Sequence, residues 1–170
     1  MSYILFGEFQ SCNVNEFVIK EIKQYAVKED VYFLFNEEIA YDDDIRKMLS
    51  GHNAFKNDGI FFITTYCQPY NSDELLDPED KYKQDELFPN QDTDDRTTFN
   101  RLYKEHFDRF VRVFKHFLIL FKPQRIRVFV TEDYDTGFKV KKCSFEEMID
   151  DIFRQIIGIG LDSIIYDLKV

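Results

Sequence analysis

The sequence predicts an α/β fold, with α+β as the alternative. The expected form is a mixed β-sheet of about five to six strands flanked by three main helices, in a single domain over residues 1–170. Three observations carry this. Short apolar runs of strand length alternate with stretches whose apolar residues recur at helical spacing. The 170 residues are 44% hydrophobic, which supplies one core but leaves little for two. Two strand-like runs near residues 125–142 are separated only by turn residues, which argues against a wholly parallel sheet.

Taken in order, Tyr3 to Phe9 reads as the first strand. Asn13 is the expected cap of a helix carrying Val14, Phe17, Val18, Ile22, Tyr25 and Ala26 at helical spacing. The run Val31-Tyr-Phe-Leu-Phe35 suits a buried central strand. Asp42 to Asp44 would cap a short helix that ends near Ser50-Gly51. Gly59 to Tyr66 is the next strand. The longest helix is expected over about Thr98 to Phe121, with an aromatic face (Phe99, Phe107, Phe110, Phe114, Phe117, Phe121) opposite a basic one, and Pro123 stops it. Arg125 to Thr131 and Gly137 to Lys142 are read as the arms of a hairpin. Ser144-Phe-Glu-Glu147 is a capping box, with Cys143 and Met148 as its hydrophobic staple. That helix runs through Ile156 to Gly158 or Gly160, and Ser163 to Leu168 closes the chain as a strand.

The charge is unevenly distributed. The whole chain carries a net charge of −10. Residues 71–95 hold 10 acids and 2 bases, net −8, whereas residues 96–127 hold 2 acids and 9 bases, net +7. The acidic stretch also contains Pro78, Pro89 and several turn formers, so a long acidic loop is expected at about 67–96. On the basic helix, Arg101–Glu105, Lys104–Asp108 and Asp108–Arg112 stand at i,i+4 spacing, which favours a solvated face over a nucleic-acid site. An acidic chain of this kind is a poor general binder of nucleic acid or anionic membranes.

No motif specifies catalysis. Asp135-Thr-Gly137 matches the aspartic-protease tripeptide but stands alone between two strands, where Asp and Gly are ordinary turn residues. Glu79-Asp-Lys81 has nuclease-like spacing without strand character. From Asp92, an EF-hand would need Gly at position 97 and Glu at 103, where the chain has Thr97 and Tyr103. Gly158-Ile-Gly160 follows a helix and is no phosphate loop. His106 and His116 are ten residues apart on one helix and cannot share a metal, and His52 has no readable partner. Cys12, Cys67 and Cys143 are scattered and odd in number, so neither a disulfide framework nor a zinc cluster is expected. No cofactor and no metal site is expected. Met1 to Glu8 lacks the features of a secretory signal, and the longest apolar run, Phe117 to Phe121, is far short of a membrane span. The expected location is the cytoplasm.

What remains is a distribution of acids and tyrosines suited to a basic protein partner. The candidate partner-binding residues are Tyr41 with Asp42, Asp43 and Asp44, then Tyr70, Asp73, Glu74, Asp77, Glu79, Asp80, Tyr82, Asp85 and Glu86. Asp92, Asp94 and Asp95 continue that set, and Glu132, Asp133, Tyr134 and Asp135 form a third cluster. Acids steer a basic partner inward, and tyrosines supply buried anchors. In size, charge and absence of motifs the chain looks like the bacterial immunity proteins that neutralise toxin domains, those of contact-dependent inhibition systems among them. No specific motif carries that resemblance. It implies an inhibitory protein, monomeric or weakly dimeric, that blocks a basic toxin or nuclease domain without touching nucleic acid or membrane, and it leans away from an enzyme. The first alternative is a hydrolase or metal-dependent enzyme assembled from distant residues such as His52, His106, His116 and Cys67. The second is a DNA mimic or regulatory interaction protein, against which the +7 segment counts.

Overall fold

The computed structural model describes residues 3–31, 33–35, 59–67, 93–131, 137–157 and 163–170, together with Gly51 and Phe55. The strands are β1 (Tyr3–Gln10), β2 (Phe33–Phe35), β3 (Ile60–Cys67), β4 (Arg125–Thr131), β5 (Lys139–Cys143) and β6 (Ile164–Leu168). The helices are α1 (Glu16–Lys28), α2 (Thr93–Phe121) and α3 (Phe145–Ile157). The six strands form one mixed sheet in the order β2-β3-β1-β4-β6-β5. Every neighbouring pair is antiparallel except β5 and β6, which are parallel.

Alternation along each strand divides the sheet into two faces. Leu5, Phe9, Phe33, Phe35, Phe62, Ile126, Val128, Val130, Tyr166 and Leu168 share one buried cluster with Val18, Ile22 and Ala26 of α1, the phenylalanines of α2, and Phe145, Met148 and Ile152 of α3. All three helices therefore cover the same face. Aromatic rings fill the space between the layers. Phe117 lies 5.0 Å from Phe9, 5.2 Å from Phe33, 5.4 Å from Phe62 and 4.9 Å from Phe121, measured between ring centroids. Gly7 is required in the middle of β1. A Cβ there would meet the Phe62 ring at 2.6 Å and the Arg127 carbonyl at 2.3 Å, so only glycine lets Phe62 lie across the strand.

Helix ends follow local chemistry, with one shift. Asn15, not Asn13, caps α1, its side chain accepting from the Val18 N–H at 3.0 Å. Asn13 instead donates to the Leu120 carbonyl at 2.5 Å, and Ser11 donates to the Phe121 carbonyl. The segment after β1 thus satisfies the last carbonyls of α2, a need that arises only in the folded chain. Lys122 turns left-handed at φ 45°, and Pro123 prevents continuation. At the end of α1, Val31 N–H bonds to the Ala26 carbonyl at 2.9 Å and Asp30 N–H to Val27 at 3.2 Å. This is a Schellman motif with Asp30, rather than glycine, at φ 56°. The capping box of α3 forms as expected: Glu147 N–H donates to Ser144 Oγ at 3.2 Å, and Ser144 N–H to Glu147 Oε2 at 2.7 Å. The Ser144 N–H, and then its hydroxyl, hold the Glu147 carboxyl below its usual range.

Three other expectations are corrected. β4 and β5 do not form a hairpin, because β6 lies between them. β4 has Ile126, Val128, Phe129 and Val130 buried and so needs strands on both sides, whereas β5 is exposed along four of its five residues and suits an edge. β5-α3-β6 is therefore a crossover unit, which parallel pairing demands. β2 is not central but ends the sheet order, and its apolar run reflects Phe33 and Phe35 stacking on the aromatic core. Finally, α2 begins at Thr93, so Asp94 and Asp95 belong to its first turn and not to a loop. Acids are stabilised there by the helix dipole. The short helix expected near 42–50 lies outside the described residues.

Candidate functional site

Most of the expected partner-binding residues, Tyr41 to Asp44, Tyr70 to Asp92 and Glu132 to Asp135, lie outside the described residues. Of that set only Asp94 and Asp95 are placed, in the backbone of the first turn of α2. His52 also lies outside. His106 is on α2, and Cys67 ends β3.

The basic face of α2 is better defined. α1 runs antiparallel beside it, so the end of α1 meets the middle of α2. Arg112 donates to Glu29 Oε2 from Nε at 3.2 Å and from Nη2 at 2.7 Å. That hydrogen bond raises the guanidinium pKa still further. Arg109 lies 3.9 Å from Asp30, and Lys104 lies 3.9 Å from Asp108. The expected Lys104–Asp108 pair is therefore present, whereas Arg112 pairs with Glu29 on another helix. Two N–H groups converging on one carboxylate oxygen outcompete a single i,i+4 contact. His116 stacks on Tyr25 at 4.1 Å and reaches Glu21 at 3.7 Å. It is thus built into the α1–α2 contact.

Two cysteines, Cys12 and Cys143, have described side chains. Cys12 is exposed and accepts from Gln124 at 3.3 Å. Cys143 is 1% exposed, and burial pushes its thiol pKa up, with Lys141 opposing only in part. A thiol held protonated is a core residue. Among the described residues no group of three or more His, Cys, Asp or Glu side chains could hold a metal ion. None of their helices is long and apolar enough to cross a membrane.

Two polar arrangements went unseen in the sequence. The first lies between β5 and α3, where Lys141, Lys142, Glu147, Asp150, Asp151 and Arg154 line an open cleft of about 200 Å³. In it Lys141 Nζ and the buried Tyr166 hydroxyl both donate to Asp151 Oδ2 at 2.9 Å. Burial would raise the Asp151 carboxyl, but these two bonds and the charges of Lys141 and Arg154 outweigh it and hold the pKa below its ordinary value. An ionised carboxylate fixed by two donors is an anchor for the β5–α3 corner, not a proton acceptor.

The second crosses the opposite face of the sheet. Register places Glu8 beside Arg127, Arg127 beside Asp167, and Asp167 beside Lys142. Sign thus alternates across four strands. Glu8 is fully buried and lies 3.5 Å from Arg127, whose side chain is 12% exposed. The neighbouring row is apolar: Leu34, Ile63, Phe6, Phe129, Ile165 and Val140 stand side by side across all six strands. Phe138 meets Phe129 edge-on at 5.8 Å, and Arg125 lies 4.4 Å over the Phe55 ring. The available signal was one acid, Glu8, within an apolar strand, and two arginines alternating in β4. No spacing rule pairs residues 119 positions apart.

No family model, curated protein or solved structure matches this chain.

Proposed function

We propose that the protein is an acidic inhibitory binding protein, most similar in character to bacterial immunity proteins of the contact-dependent inhibition type. In this reading it works in the cytoplasm, as a monomer or weak dimer, and covers the basic surface of a toxin or nuclease domain. One observation supports it above others. The acidic segment has two possible roles, to neutralise the basic helix beside it in sequence or to meet a basic partner. Arg109 and Arg112 are natural counter-ions for the first role, yet they already face Asp30 and Glu29. The −8 of residues 71–95 is then in excess of what this part of α2 requires. A concentrated field of one sign speeds encounter with the opposite sign and rejects like-charged partners.

The test is association kinetics with a panel of basic toxin nuclease domains. The on-rate should fall about tenfold or more as salt rises from about 50 to about 500 mM. Replacing the acids of Asp42–Asp44 and Asp73–Asp95 by Asn and Gln should weaken binding without unfolding the chain. Salt-independent association, or unchanged binding after both replacements, would overturn the reading.

A further inference from the structure

β5 is the last strand of the sheet order, and its residues 139–142 are exposed. In its parallel ladder with β6, Lys139 N–H bonds to the Ser163 carbonyl at 2.9 Å, and the Cys143 carbonyl accepts from Lys169 N–H at 3.0 Å. The odd-numbered residues therefore direct their main-chain groups toward β6. Parallel pairing then turns the N–H and C=O of Val140 and Lys142 toward the open side. These same two residues end the two rows on the far face of the sheet. Val140, 59% exposed, ends the apolar row, next to Ile165 at 2%. Lys142 ends the alternating row Glu8, Arg127, Asp167, Lys142, so the sign that continues it is negative.

We propose that the outer edge of β5 takes up an extended acidic strand from a partner protein, adding to the sheet. Main-chain bonds to Val140 and Lys142 would hold it, an apolar side chain would lie beside Val140, and a carboxylate beside Lys142. Lys141, on the other face, is already held by Asp151, so Lys142 sets the sign. Edge lysines also deter self-association. Here they exclude a second copy as the occupant, since β5 against β5 sets lysines against lysines. The surface is basic and shares no residue with the acidic segment, so its failure would leave the proposed function standing, and the reverse also holds.

The experiment uses the full chain and a labelled ten-residue peptide alternating Glu and Val, read by fluorescence anisotropy. A Lys/Val peptide and a single-stranded oligothymidine are the comparison probes. The acidic peptide should bind about tenfold or more tighter than the basic one. Val140→Pro removes only an N–H facing the open side, which edge strands tolerate. It should weaken the acidic peptide about tenfold or more while the thermal midpoint holds. Lys142→Glu, which needs no backbone change, should reverse the preference between the peptides. Equal binding of both peptides, binding of the oligothymidine in place of the acidic peptide, or affinity unmoved by either substitution would overturn the proposal.

Discussion

The two faces of the sheet are held by different physics. On the helix face, phenylalanines from β1, β2, β3 and α2 meet ring to ring, and burial of area supplies the stability. On the opposite face, an apolar row adjoins a row of alternating charge, with Glu8 and Arg127 both withdrawn from water. The aromatic face tolerates any large apolar group of suitable shape. The mixed face depends on sign and register, because a buried charge without its partner costs more than a lost contact.

The largest expected effect is on the aromatic face. Phe117→Ala removes the ring that touches Phe9, Phe33, Phe62, Phe114 and Phe121. It should cost about 3–5 kcal/mol in denaturant unfolding, enough to unfold a domain of ordinary stability. Nearly as large is Arg127→Met, which withdraws a cation from beside the buried Glu8 carboxylate and should cost about 3 kcal/mol. The distinguishing outcome is the double variant. Glu8→Met with Arg127→Met should recover most of that loss, whereas no second substitution restores Phe117→Ala. A double-mutant cycle with no coupling between Glu8 and Arg127 would erase the contrast between the faces.

Smaller effects test the margins of the helix layer. Asp151→Asn removes the charge that Lys141 and Tyr166 hold and should cost about 1 kcal/mol at neutral pH. Because the folded carboxyl lies below its ordinary value, its contribution is present above the usual Asp range and is lost as pH falls through the folded pKa. The gap between wild type and Asp151→Asn should therefore close in acid, and a gap constant with pH would refute the assignment. Smallest and opposite in sign is Asp30→Gly, which relieves a left-handed residue at φ 56° and should add about 0.5–1 kcal/mol. The distant contact to Arg109, with Asp30 83% exposed, offsets little of that.

Local chemistry explains what could be read in advance. The capping box at Ser144 and Glu147 depends on residues three apart, and Pro123 acts on its own helix. The aromatic stripe of α2 needs only its spacing, and its members Phe107, Phe110, Phe114, Phe117 and Phe121 are all buried. The misread hairpin shows the limit. Nearness in sequence favoured pairing β4 with β5, but β4 is buried on both faces and β6, rich in Ile and Leu, fills the place beside it. The cap at Asn13 failed for a related reason: the helix-end carbonyls of Leu120 and Phe121 recruit Asn13 and Ser11 from more than a hundred residues away. Of the candidate site, the sequence exposed its charge and its segment, and the pairing of Arg112 with Glu29 emerged only from the packing of α1 on α2.

By itself the sequence determined the class of the fold, the faces of the helices, the cap of α3, and the separation of a −8 segment from a +7 segment. Each depends on spacing within one element or on charge that adds without geometry. Tertiary structure alone decided the strand order, the parallel β5–β6 pair, the alternating row from Glu8 to Lys142, and which acids meet the basic helix. Those depend on which elements become neighbours, and burial of the whole chain, not local preference, sets that choice.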